Sequence, residues 1–158
     1  MRFSARQLQK GMKWWPPFLG AGIRVKSLSD DFRDAVVELK LGRLNRNYVG
    51  THFGGSLYAM TDPFFVLMLL HNLGNDYLVW DKAGSIDYVA PGRGTVQAHF
   101  HLSERRLQEI RAAAAGGGKV LPEFDVSVKD EAGGLVARVK KTIYVRLKPR
   151  RRPPGEGK

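Results

Sequence analysis

The sequence contains no cysteine, and this absence excludes several kinds of chemistry at once. A chain without thiols can form no disulfide, cannot bind zinc through cysteine and has no cysteine nucleophile. The histidines do not supply a metal site instead. His99 and His101 share one face of a predicted strand, but two ligands do not make a site, and His71 has no partner at metal-ligand spacing. We therefore expect no metal and no other cofactor.

Long hydrophobic runs are also missing. The most hydrophobic stretch, residues 63–70, is far shorter than the roughly 20 residues that a bilayer span requires. Residues 1–13 carry charges but no apolar run of the length found in secretion signals. With 158 residues, 43% of them hydrophobic, the chain suits a single globular domain. We expect a soluble, cytoplasmic protein without a membrane span.

Acidic residues are absent from the first 29 positions, although six basic residues occur there. A second basic stretch, residues 138–152, holds eight lysines and arginines and no acid, and the net charge is +11. This imbalance favours anionic partners such as phosphates, but it is also typical of a solvated face that keeps a protein soluble. No recognition motif accompanies the charge, so nucleic-acid binding ranks last among the possible functions.

The order of hydrophobic patterns predicts an α+β fold. Residues 3–15 have helical spacing that ends at Pro16 and Pro17, and residues 57–70 are apolar on every side, as in a fully buried helix. A shorter helix is predicted over residues 103–115, with Ser103 as its N-cap. Strand patterns cover residues 23–29, 33–41, 77–89, 95–102, 120–129 and 135–147, and the turn at 129–134 predicts a hairpin. An antiparallel sheet of about five to six strands wrapped around a central buried helix satisfies these signals.

The segment at residues 47–62 carries the strongest chemical signal. Gly54 and Gly55 precede a helix, where glycines allow close approach of a ligand and leave backbone N–H groups unpaired. Such groups suit an anionic oxygen. Asp62 follows about two turns later within the apolar segment. A carboxylate there costs several kcal/mol unless it is paired, which makes Asp62 a candidate catalytic group.

The pattern Asn-x-x-Gly-Thr-x-x-Gly-Gly, with Asp seven residues after the second glycine, resembles the active-site segment of hot-dog-fold acyl-CoA thioesterases of the phenylacetate-pathway type. Gly-Thr-His-Phe-Gly-Gly-Ser is more similar still to an uncharacterised thioesterase-like branch of that superfamily. Residues 86–91 also resemble the strand that follows the central helix in those proteins. The resemblance implies a single hot-dog domain over residues 1–147, with an N-terminal helical extension. We expect residues 148–158 to form a basic, disordered tail.

The resemblance also implies an activity and a site. The protein would hydrolyse an acyl-CoA or acyl-carrier thioester, without a cofactor, as a dimer or tetramer. Asp62 would act as general base or nucleophile, the Gly54 amide would face the oxyanion, and Asn47 would orient the carbonyl or water. Asn47 and Asp62 would meet from different subunits.

The residues that would contact the substrate depart from the family pattern in two places. Gly55, His52, Phe53 and Asp81 are the candidates for this contact. Phe53 holds the place of the family's histidine, with His52 one residue earlier, and Asp81 stands where serine or threonine is common. Apolar residues such as Phe64 and Phe65 would line an acyl pocket.

Each site residue also has a structural interpretation. Asp62 stands before a proline and is a possible helix N-cap. In this interpretation Asn47 only shapes a turn, Gly54 and Gly55 only allow tight packing, and His52 is a hydrogen-bonded structural histidine. The alternative functions are a non-catalytic acyl-thioester-binding or structural protein, or a hot-dog dehydratase or hydratase.

Overall fold

The computed structural model describes residues 3–149. Within them the chain forms helices α1 (Ala5–Met12), α2 (Pro16–Ala21), α3 (Gly54–Ala59), α4 (Phe64–Leu73) and α5 (Glu104–Ala114). The strands are β1 (Ile23–Leu28), β2 (Asp34–Lys40), β3 (Tyr77–Tyr88), β4 (Thr95–His101), β5 (Lys119–Val120), β6 (Glu123–Asp130) and β7 (Leu135–Leu147). Most of the predicted tail, residues 150–158, lies outside the described residues.

All strand pairs in the described part of the chain are antiparallel, and the sheet order is β1-β2-β4-β6-β7-β3, with β5 paired to β7. The predicted α+β architecture is confirmed, and the strand beyond the predicted number is the two-residue β5. Alternation in β2 buries Ala35, Val37 and Leu39 against the helices. The long strand β3 lies at one edge of the sheet, which matters for the site below.

The predicted hairpin and the α5 cap are both present. The Asp130 carboxylate accepts hydrogen bonds from the backbone N–H groups of Ala132 and Gly134, which closes the turn between β6 and β7. Ser103 caps α5 by accepting a hydrogen bond from the backbone N–H of Arg106.

The N-terminal segment forms two helices rather than one. The helix predicted over residues 3–15 ends at Met12, and Pro16 is the first residue of α2. Proline ends one helix but suits the first position of the next, because its missing N–H has no partner there in any case. A left-handed glycine, Gly22 with φ 78°, ends α2.

The central helix is broken. The single helix predicted over residues 57–70 is divided into α3 and α4, since Pro63 lacks the N–H that a continuous helix needs at that position. Phe64 and Phe65 at the start of α4 are buried and pack against Phe100 and Phe124. The prediction that these two phenylalanines line an acyl pocket is therefore wrong, because they belong to the closed core.

Candidate active site

A buried lysine lies at the centre of the candidate site. The alternation of β7 turns Val139, Lys141 and Ile143 towards the core, and Lys141 is only 1% exposed. Because burying an ammonium group is costly, such a lysine requires partners of opposite charge. The structure provides two of them.

The ammonium group of Lys141 joins two carboxylates. Its Nζ lies 2.9 Å from Oδ1 of Asp62 and 2.8 Å from Oδ1 of Asp81. The same Nζ lies 5.2 Å from the centre of the Tyr58 ring, within range of a cation–π interaction. We call Lys141, Asp62, Asp81 and Tyr58 the Lys141 cluster. It brings residues from the broken helix and from two neighbouring strands to one point.

A helix break and a strand bulge orient the two carboxylates of the cluster. Asp62 lies in the break between α3 and α4, and the carboxylate is not the helix cap, since Pro63 occupies the N-cap position of α4. On β3 the register shifts between Asp81 and Ala83, and such a bulge re-aims the neighbouring side chains. The Tyr58 hydroxyl fills the space that a side chain at position 84 would need, so Gly84 admits the ring.

Charge and burial oppose each other in the cluster. Burial raises the pKa of Asp81 more than the Lys141 hydrogen bond and charge lower it. Burial also works against the charged form of Lys141, but the hydrogen bonds that its ammonium donates to Asp81 and Asp62 outweigh burial and raise the pKa of the lysine. The Asp62 side chain is 51% exposed. The cluster thus holds one solvent-accessible carboxylate in a fixed position.

A separate cleft of about 520 Å³ lies at the other end of α3. It is lined by Asn47, Thr51, His52, Phe53, Gly54, Gly55, Leu57, Tyr88, Val89, Ala90, Pro91 and Gly92. The Tyr88 ring covers Gly54, where an added Cβ would lie 2.9 Å from the phenolic oxygen. Within residues 3–149 the amides of Gly54 and Gly55 have no hydrogen-bond acceptor, as is usual for the first residues of a helix.

The Asn47 side chain holds its own loop together. Its Nδ2 donates to the Thr51 hydroxyl at 2.9 Å and to the His52 carbonyl at 3.2 Å. Its Oδ1 accepts from the backbone N–H groups of Val49 and Thr51. This geometry matches the turn-shaping interpretation, and the role of Asn47 in orienting a substrate stays a prediction.

His52 ties the same loop to the connection between β3 and β4. Its backbone N–H donates to the Gly92 carbonyl at 3.0 Å, and its Nε2 lies 3.1 Å from the Gly94 carbonyl. Because a carbonyl only accepts, Nε2 carries the proton. The buried Nδ1 has no hydrogen-bond partner in the described part of the chain. Burial lowers the pKa of His52, which matches a neutral structural histidine.

The predicted site residues therefore fall into two groups. Asn47, His52, Phe53, Gly54 and Gly55 line the cleft, whereas Asp62 and Asp81 belong to the Lys141 cluster. The six residues of α3 separate the groups by about 9 Å along the helix axis. Asp62 does not line the cleft of its own chain.

Sequence reasoning missed Lys141, Tyr58 and Tyr88. The signal for Lys141 was present, because alternate residues of β7 before and after it are apolar. A lysine on the apolar face of a strand requires an ion-pair partner, and Asp62, a carboxylate in an apolar segment, requires one as well.

Residues 3–149 contain neither a candidate metal site nor a candidate membrane-spanning helix. Histidine, aspartate and glutamate side chains form no group of three that could hold a metal ion. No helix in this range is long and apolar enough to cross a membrane.

Comparison with known proteins identifies similarities over nearly the whole chain. The family model described as "Domain of unknown function (DUF4442)" matches residues 4–145. No curated protein sequence matches. Among solved structures, a Pseudomonas aeruginosa protein of unknown function, described as a probable thioesterase, has a TM-score of 0.80 at 16% identity and covers 93% of this chain and 98% of its own.

Two further solved structures show the same similarity. A Haemophilus influenzae thioesterase has a TM-score of 0.66 at 13% identity, over 93% of both chains. A Chlorobaculum tepidum protein of unknown function has a TM-score of 0.71 at 18% identity, over 92% of this chain and 98% of its own. Together with the sheet order, these similarities establish the hot-dog fold.

Proposed function

From the membership of this chain in the DUF4442 family and from its thioesterase-like hot-dog fold, we propose that it hydrolyses acyl-CoA to a free acid and CoA. The observation that carries the proposal is the Lys141 cluster. It fixes the accessible carboxylate of Asp62 at a helix break by an ion pair to a buried lysine. A fixed, accessible carboxylate suits a general base.

In the proposed reaction, Asp62 accepts a proton from water as the water oxygen attacks the thioester carbonyl. The carbon–sulfur bond then breaks, and the proton passes to the departing thiolate of CoA. Lys141 and Asp81 act as positioning residues that hold the Asp62 carboxylate. The free amides of Gly54 and Gly55 would stabilise the oxyanion that forms on the carbonyl, a contribution of typically about 3 kcal/mol per donor.

The two halves of the site come together if two copies of the chain pair. Strand β3 supports such pairing, because its outer edge is unpaired among residues 3–149 and it is twelve residues long. Exposed edges of this kind are templates for another strand. A two-fold dimer through β3, which carries Asp81, would place the Lys141 cluster of one subunit beside the cleft of the other. The proposal thus includes a homodimer, or a tetramer built from it, that acts on acyl-CoA or an acyl carrier in the cytoplasm.

The first test is thiol release from a panel of acyl-CoAs by wild type and Asp62→Asn. Loss of a general base typically costs about 100-fold or more in rate, and we expect at least that loss. Asp30→Asn is the matched control, because Asp30 is an exposed carboxylate in the turn between β1 and β2. Circular dichroism and molecular mass must match between the variants. Unchanged turnover in Asp62→Asn would refute the role given to Asp62.

A second test addresses the shared site. Asp62→Asn and Gly54→Val subunits would each be inactive alone. The first lacks the proposed general base, and in the second the valine displaces Tyr88 and blocks the amide. After unfolding and refolding together, mixed dimers would contain one intact site, restoring up to about a quarter of wild-type activity. No restoration, with mixed dimers present, would contradict a site shared between subunits.

The alternative functions predict other results. Wild type that binds acyl-CoA without turnover on any chain length would favour the non-catalytic binding protein. Turnover of enoyl or 3-hydroxyacyl thioesters without thiol release would favour a dehydratase or hydratase.

A further inference from the structure

A second concave surface, which we call the apolar groove, lies between the N-terminal helices and the start of α4. It measures about 520 Å³ and is lined by Leu8, Gly11, Met12, Trp14, Trp15, Pro16, Pro63 and Leu67. None of these residues carries a charge. Trp14 is 71% exposed and Trp15 is 42% exposed. Two adjacent tryptophans that leave so much ring surface in water are typical of a binding surface, although Trp15 also packs against the core residue Phe18.

The apolar groove adjoins the Lys141 cluster. Pro63 forms part of its wall and is bonded directly to Asp62, so their Cα atoms lie about 3.8 Å apart. Leu67 lies one helical turn further along α4. The groove therefore begins at the residue next to Asp62, whose carboxylate contacts Lys141 and does not itself line the groove.

The charge around the apolar groove indicates what kind of ligand it suits. Arg6, Lys10 and Lys13 are exposed on or next to α1, and no acidic residue precedes Asp30. The Lys13 ammonium lies 5.7 Å from the centre of the Trp14 ring. An apolar surface with a lysine beside one of its tryptophans complements a molecule that joins an aliphatic chain to anionic groups. Acyl-CoA is such a molecule, because it joins an aliphatic chain to phosphates.

We propose that the apolar groove binds the acyl chain of the thioester, so that α1 and α2 make the protein selective for long aliphatic acyl groups over acetyl. This inference rests on the proposed function. The Lys141 cluster acts at the thioester group, and the apolar groove would bind the acyl chain attached to it. The closed core around Phe64 and Phe65 leaves no room for the acyl chain there.

Gly11 allows a test that leaves the fold in place. A side chain added at Gly11 meets nothing within 4 Å, and Gly11 lines the groove. Gly11→Leu would fill the groove and replace a helix glycine by a better helix former. Gly20→Leu is the matched control, because Gly20 is also helical and equally open but lies on a different surface.

The experiment measures kcat/KM for acetyl-CoA and decanoyl-CoA, together with calorimetric binding of decanoic acid, in wild type and both variants. We expect wild type to prefer decanoyl-CoA and Gly11→Leu to lower that preference at least about tenfold, the equivalent of roughly two buried methylene groups. Decanoic acid binding should weaken in parallel, while Gly20→Leu behaves as wild type.

Other outcomes separate the two proposals. If wild type hydrolyses thioesters but Gly11→Leu keeps the same chain-length preference, the groove is not the acyl site and the proposed function stands. If no thioester is hydrolysed but decanoic acid binds and Gly11→Leu weakens the binding, the groove stands and hydrolysis fails. If Gly11→Leu changes the oligomeric state but neither the chain-length preference nor the binding of decanoic acid, the groove is a contact between subunits and the inference is overturned.

Discussion

Replacing Lys141 by methionine tests whether the Lys141 cluster organises the site. Methionine has a similar length and no charge, so Lys141→Met removes the ammonium that lies between Asp62 and Asp81 while the core position stays filled. The two carboxylates would then face each other without a counter-charge. We expect both lower stability and lower kcat/KM.

The magnitude follows from the exposure of the three groups. Breaking a fully buried ion pair costs about 3–5 kcal/mol, whereas exposed pairs contribute about 0–1 kcal/mol. Lys141 is 1% exposed, but the side chains of Asp62 and Asp81 are 51% and 32% exposed. Water therefore screens part of the interaction, and relief from burying the ammonium offsets another part. The free energy of unfolding should fall by about 1–3 kcal/mol.

The pH dependence of this loss has a defined sign. The pKa of Lys141 is raised above its ordinary value of 10.5, so the lysine binds its proton more tightly in the folded state. Its contribution to stability is full below that value and is lost as the pH rises through the raised pKa. Wild type and Lys141→Met should differ most at neutral pH and converge in strong alkali.

Urea denaturation of wild type, Lys141→Met, Asp81→Asn and the double variant measures the coupling. Neutralising Asp81 should recover part of the loss in the Lys141→Met background, with a coupling energy of about 1–2 kcal/mol. Lys141→Gln serves as a polar control, since it restores a hydrogen-bond donor without the charge. A Lys141→Met protein as stable as wild type, with strictly additive effects and an unchanged kcat/KM, would refute the reasoning.

Two further predictions concern the loop that lines the cleft. Because burial lowers the pKa of His52 from 6.5, the unfolded chain binds a proton more readily, and stability should fall as the pH drops below about 6.5 towards the lowered pKa. Urea midpoints between pH 5 and pH 8 should show a shallower slope for His52→Gln than for wild type, and equal slopes would contradict this assignment. Asn47→Ala removes the hydrogen bonds to Thr51, His52 and Val49, and it should cost about 1–3 kcal/mol. Asn47→Asp keeps the accepting oxygens and should cost less in the same denaturation assay; equal losses would show that those oxygens contribute nothing.

Most of the fold could be predicted because the strands have one solvent-exposed and one buried face. The alternation of Ala35, Val37 and Leu39 and the turn that ends at Gly134 are local signals, and both predicted elements are present. The two-residue β5 was missed because two residues are too few to show the alternation of apolar and polar residues that predicts a strand. The central helix was predicted too long, since its hydrophobicity runs through the break that Pro63 imposes.

The site was less predictable because it depends on contacts between distant residues. Asp62 and Asp81 stood out individually, but nothing local shows that both contact one lysine 79 and 60 positions away in the sequence. The bulge between Asp81 and Ala83 that aims the second carboxylate has no local sequence signal either. For the loop, the resemblance of the motif indicated the right segment, but the bonds of Asn47 and His52 to their own surroundings appear only in three dimensions.

The position of Lys141 also determines when the site can assemble during protein synthesis. Strand β7 is made after the other six strands of residues 3–149, yet it lies between β6 and β3 in the sheet. Until the ribosome has released β7, β3 has no neighbour in the sheet, and the carboxylates of Asp62 and Asp81 have no lysine between them. A nascent chain that stops before residue 141 therefore contains the motif, the cleft loop and the central helices, but it cannot build the centre that they surround. Assembly of the site is coupled to completion of the domain, so only finished chains hold the Asp62 carboxylate in place.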